Sequence, residues 1–193
     1  MGAISAENPG SRIAMAGITT IATAALQRSS AGRNDTRITA LRHHGDVTSG
    51  IDYARFREAF GESPGILPDG EVLGTSEADW DSVFALLRAG GWRVTRHDHV
   101  SPLPRTWHEM PEGESIAVWP AEGVQVNFFP GPDMVYFDID LREFVDQAAM
   151  DALADLMKRL GDELGGDVVI LEEGASGPPI LRYSPASRAL TLD

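Results

Sequence analysis

From Ile51 onward the apolar positions of the chain fall into two rhythms, one helical and one alternating. Tyr53, Phe56 and Phe60 share a face at helical spacing and stop at Gly61, which predicts a short helix. Two prolines and three glycines between Ser63 and Gly74 predict a loop. Ser76 then caps a second helix, with Asp79 placed for a capping box and Trp80, Val83, Phe84 and Leu87 repeating at i, i+3, i+4 and i+7. Gly90-Gly91 supplies its left-handed stop. A third and longer helix opens at Asp146. Its stripe of Ala149, Met150, Leu153, Leu156, Met157, Leu160 and Leu164 ends at Gly165-Gly166.

The alternating rhythm predicts strands. Trp92 and Val94 point one way and Arg93, Thr95 and His97 the other, until Ser101-Pro102-Leu103-Pro104 breaks the pattern. Ser115 to Trp119, a turn at Pro120-Ala121-Glu122-Gly123, and Val124 to Phe129 read as a hairpin. After a turn at Pro130-Gly131-Pro132-Asp133, Met134 to Asp140 extends it into an antiparallel meander. Val168 to Leu171 reads as a further strand, and Ile180 to Tyr183 with Ala189 to Leu192 as a closing hairpin. The expected fold class is α+β: a mostly antiparallel sheet, meander plus C-terminal hairpin, covered by helices on one face. Trp80 and Trp92 are expected in the core. The opposite face carries Arg93, Thr95, Gln125, Asn127, Phe129, Tyr136 and Asp138, and is expected to stand open as a platform for a partner.

Residues 1–50 read as an extension or linker ahead of a single domain over 51–193. Ile13 to Leu26 is apolar and alanine-rich behind Ser11 and Arg12, which predicts one short helix over 12–28 or a poorly ordered segment. The run is shorter than the roughly 20 residues that span a bilayer, so no membrane span is expected. Ala22-Thr23-Ala24 has the small-x-small form of an export cleavage site, but Glu7, Pro9 and three threonines dilute the signal. The expectation is a cytoplasmic protein, with export as the alternative. Ala6 leaves Met1-Gly2 short of a myristoylation pattern. Residues 29–50 are polar, with one weak strand predicted over Thr36 to Leu41.

Composition narrows the chemistry. With 42% hydrophobic and 23% charged residues the chain of 193 can bury a core, and the absence of cysteine excludes disulfides, thiolate metal sites and a cysteine nucleophile. Charge is unevenly spread: residues 1–60 carry +2 and residues 61–193 carry −15, for a net −13. Such a body repels phosphate backbones and anionic membranes and attracts basic proteins, which argues for a basic protein partner and against direct nucleic-acid binding. Solubility alone is the competing explanation of the acidity. Lys158 is the only lysine, and the arginine, alanine and glycine bias suggests a GC-rich bacterial coding background.

Two strings could carry metal chemistry. His97 and His99, two apart on an extended chain, would point to one side and could ligate zinc with a third ligand such as His108 from the next loop. Asp138 and Asp140 share a strand face and could hold a divalent cation such as Mg²⁺. Each string has a plain alternative, a polar strand end facing water. His43-His44 in the linker is a weaker pair. No phosphate-binding loop or Gly-x-Ser-x-Gly elbow is present, and Ser184 and Ser187 sit in a turn.

These features predict a non-enzymatic acidic protein-binding module without a cofactor, which in size, charge and architecture resembles the immunity proteins that neutralise basic toxins. Phe60-Gly61 followed by Gly65-Ile66-Leu67-Pro68 resembles the leucine-glycine then leucine-proline opening of the SMI1/KNR4-like immunity proteins. The resemblance covers about a dozen residues and departs where Asp69-Gly70 replaces the helix expected after the proline; no functional residue is carried over from it. Glu112, Glu114, Glu122, Asp133 and Asp138, with Phe129 or Tyr136 as anchor, are the expected interface. The alternatives are a metal-dependent hydrolase or lyase built on His97, His99 and Asp138 or Asp140, and a homo-oligomeric accessory domain pairing through the helix over 146–164. The sequence fixes neither the oligomeric state nor the partner.

Overall fold

A computed structural model describes residues 50–61 and 67–192 of the chain. The helix expected over 12–28, the weak strand at 36–41, His43-His44, and Gly65-Ile66 of the immunity-like string lie outside the described residues. The described part is α+β. Its eight strands are β1 Asp69–Val72, β2 Arg93–Arg96, β3 Ile116–Ala121, β4 Val124–Phe128, β5 Val135–Asp140, β6 Val168–Leu171, β7 Leu181–Ser184 and β8 Ala189–Leu192. They form one sheet in the order β2-β3-β4-β5-β1-β6-β7-β8, with every neighbouring pair antiparallel.

Three helices cover one face, and the predicted punctuation places them. In α1 (Tyr53–Phe60), Asp52 caps the first turn by accepting from the Ala54 amide at 2.7 Å. Phe56 and Phe60 are buried, and Phe56 meets Phe144 at 5.1 Å between ring centroids. Ser76 and Asp79 form the expected capping box around a 3₁₀ turn that leads into α2 (Trp80–Ala89). Trp80 is fully buried and donates its indole N–H to the Gly131 carbonyl at 2.9 Å, tying α2 to the β4–β5 turn. Asp146 caps α3 (Gln147–Leu164) by accepting from the Ala149 amide, and Gly165 ends it with φ +70°. The apolar stripe of α3 is buried against the sheet together with Val72, Phe128, Phe137 and Ile170.

One element corrects the sequence reading. The span Ser63 to Gly74, expected to be a loop, contains β1, which pairs with β5 on one side and β6 on the other and joins the meander to the C-terminal strands. Gly70 marks a close approach here instead of a turn: a Cβ on it would lie 2.1 Å from the Phe137 ring. Val72 is fully buried beside it, while Asp69 and Glu71 alternate onto the other face. Since β5 and β6 both run antiparallel to β1, they are parallel to each other, and α3 is the crossover between them. No helix among the described residues is long and apolar enough to cross a membrane.

Candidate functional site

Among the described residues no helix lies on the second face of the sheet, and the register arranges its side chains in three rows. The central row is Thr95, Ala117, Asn127, Asp138, Asp69 and Leu171, read from β2 across to β6. To one side of it lie Tyr136, Glu71, Val169 and Arg182, with Phe129 beside Tyr136 at 5.7 Å between ring centroids. To the other side lie Arg93, Trp119, Gln125 and Asp140. Val169 and Leu171 are buried, and the Gly174 amide donates to Asp69 at 2.8 Å, so the segment after β6 leans over that end of the face. From β3 to β1 the face is half-exposed.

Its polar groups are chained together. The Gln125 amide donates to Asn127 at 2.8 Å, and Asn127 donates to Asp138 at 2.6 Å. Tyr136 donates its hydroxyl to Asp69 on the neighbouring strand. Burial holds the Asp138 carboxyl above its usual range, and the carboxylates of Asp69, Asp140 and Glu173 add to that push against the opposing Asn127 hydrogen bond. Burial and the Asp69 carboxylate likewise raise the Tyr136 phenol. Asp140 differs: Arg142 spans both its oxygens from Nε at 2.9 and 3.0 Å and keeps its carboxyl low. Neither Asp69, Glu71 nor Asp138 has a cationic partner within ion-pair distance among the described residues. Within the described residues the centre of the face is therefore negative charge without a cationic partner, beside two aromatic rings.

The expected interface residues divide. Phe129, Tyr136 and Asp138 lie on this face. Glu122 and Asp133 are exposed at the turns before and after β4, at opposite ends of the face. Glu112 is exposed in the loop before β3, whereas Glu114 is ion-paired to Arg96, with Arg96 Nε at 3.0 Å, and its charge is already matched. Sequence reading missed Asp69 and Glu71, which sit on the strand taken for a loop, and Trp119, Arg142 and Glu143, which frame a cleft at the Asp140 end.

The expected metal ligands are not brought together. The chain leaves the extended conformation after Arg96: Asp98 accepts from the amides of Val100 and Ser101, and His99 takes φ +57°, so His97 and His99 are exposed on a turn and do not project side by side from a strand. The three hydrogen bonds from Val100 and Ser101 hold the Asp98 carboxyl down at about 2. At about 4.8 Å per strand, this sheet edge is some 14 Å across from β5, where Asp138 and Asp140 sit. His108 is exposed on a 3₁₀ turn held to α2, where the Trp107 amide donates to Asp81 at 2.7 Å. Among the described residues no three histidines or carboxylates gather to hold a metal ion.

No family model, curated protein or solved structure matches this chain.

Proposed function

We propose that the chain is a non-enzymatic acidic binding module, of the immunity type, that holds a basic protein partner on the uncovered face of its sheet. The observation that carries this reading is the set Asp69, Glu71 and Asp138, aligned on two neighbouring strands, with no cation among the described residues paired to them, and flanked by Phe129 and Tyr136. Burying unpaired carboxylates at a few half-exposed positions is unfavourable in the free protein, and a partner's arginines and lysines relieve it. The aromatic pair supplies the apolar contact that such interfaces concentrate near their centre. A bacterial toxin of opposite charge fits these demands, and a cytoplasmic setting fits that role.

The competing readings find less support. The metal hydrolase needs His97, His99 and an aspartate in one place, and they occupy opposite sides of the meander. Pairing of two copies through α3 needs its apolar stripe, which is spent on the sheet.

The test is capture of the tagged protein from lysate of its host at low salt, with stepwise salt elution. The expected result is one stoichiometric basic protein that leaves as salt screens the contact, the Debye length falling from about 30 Å at 0.01 M to about 3 Å at 1 M. Retention of an acidic protein, or of a partner indifferent to salt, would overturn the reading.

A further inference from the structure

At the Asp140 end of the same face, Trp119, Gly123, Gln125, Asp140, Arg142 and Glu143 line a cleft of about 300 Å³. Its hydrogen-bonding capacity is lopsided. Arg142 and Asp140 neutralise each other. Gln125 has committed an amide hydrogen to Asn127, which leaves its carbonyl oxygen as an acceptor. Glu143 is exposed and has no ion-pair partner among the described residues. The Trp119 indole already holds a guanidinium, that of Arg93 from β2, at 3.8 Å from the ring centroid. The cleft thus offers a carboxylate, a carbonyl oxygen and an indole wall; Asp140, Arg142 and Glu143 in its lining sum to −1, with the Arg93 cation adjoining on the indole.

We infer that this cleft receives an arginine side chain of the basic partner, an inference that rests on the function proposed above. A guanidinium is planar, carries five N–H donors and no acceptor, and stacks on indole while its edge meets a carboxylate. A carboxylate guest would face Glu143, and a lysine would bring a point charge without the flat surface. The inference separates two roles on one face: the Asp69–Asp138 centre draws positive charge in general, and the Trp119 cleft selects a guanidinium.

The probe is Nα-acetyl-arginine amide, titrated at low ionic strength while the Trp119 indole N–H is followed by NMR, that resonance being assigned by its loss in Trp119→Phe. Nα-acetyl-citrulline amide, nearly the same shape without the charge, is the control. Arginine is expected to shift the resonance saturably and citrulline not. Glu143→Gln is expected to weaken arginine binding up to about fivefold, the worth of a solvent-exposed ion pair, while Glu77→Gln on the helical side leaves it unchanged. Equal response to citrulline, no response at all, or an unaltered affinity in Glu143→Gln would overturn the inference. Salt-sensitive capture of a basic protein that survives Glu143→Gln would remove the cleft's role and leave the proposed function standing. An arginine-specific shift without any basic partner would do the reverse.

Discussion

Asp138 concentrates the conflict between stability and the proposed role in one side chain. Burial raises its carboxyl, and so do Asp69, Asp140 and Glu173. A raised carboxyl binds its proton more tightly in the folded than in the unfolded chain, so this group's effect on stability is adverse at neutral pH and fades as pH falls toward 3.8, the unperturbed value. Asp138→Asn keeps an acceptor for Asn127 and removes the charge. Its urea midpoint is expected to exceed wild type at neutral pH and to converge with it in acid; a lower midpoint at neutral pH would show that the carboxylate is already compensated. Sites shaped for a partner commonly trade stability in this way. Gly70 carries the opposite kind of constraint. A methyl group there would overlap the Phe137 ring, and Gly70→Ala is expected to cost about 3 kcal/mol in denaturant unfolding. A cost near zero would mean that the ring swings aside freely.

At the level of elements, the helices were legible because each rests on local signals. Apolar spacing, the Ser76–Asp79 box and the Asp146 cap all act within a few residues, and the helices start and stop where these signals stand. Asp146→Ala is expected to lower stability by about 1 kcal/mol, read from the denaturation midpoint, by freeing the Ala149 amide at the start of α3. The meander was legible for the same reason, alternation bounded by turns. By contrast, β1 was not, since Asp69-Gly70-Glu71-Val72 has one strong strand former and owes its conformation to two flanking strands that lie far off in sequence. Without β1, two of the three carboxylates of the site, Asp69 and Glu71, have no place on the face. Asp138, Tyr136 and Phe129 could be placed on one face from alternation alone, but Asp69 and Glu71 join them only through β1–β5 pairing. The His97–His99 expectation failed to find support for a related reason, because Asp98 turns the chain through local side-chain bonds that alternation does not register.

Over the whole molecule, charge and architecture converge. Residues 61–193 carry −15, and the sheet turns Asp69, Glu71 and Asp138, which have no ion-pair partner among the described residues, toward the face opposite its three described helices. An anionic surface steers a cationic partner over a distance set by ionic strength, so association is expected to slow as salt rises while the fold is unaffected. The most direct measurement compares wild type with the triple variant Asp69→Asn, Glu71→Gln, Asp138→Asn for the amount of basic protein each retains from the same lysate at low salt, after both are shown to unfold cooperatively. The account predicts that wild type retains a stoichiometric partner and that the variant loses most of it. Equal retention by the two proteins would contradict the account and move the interface off this face.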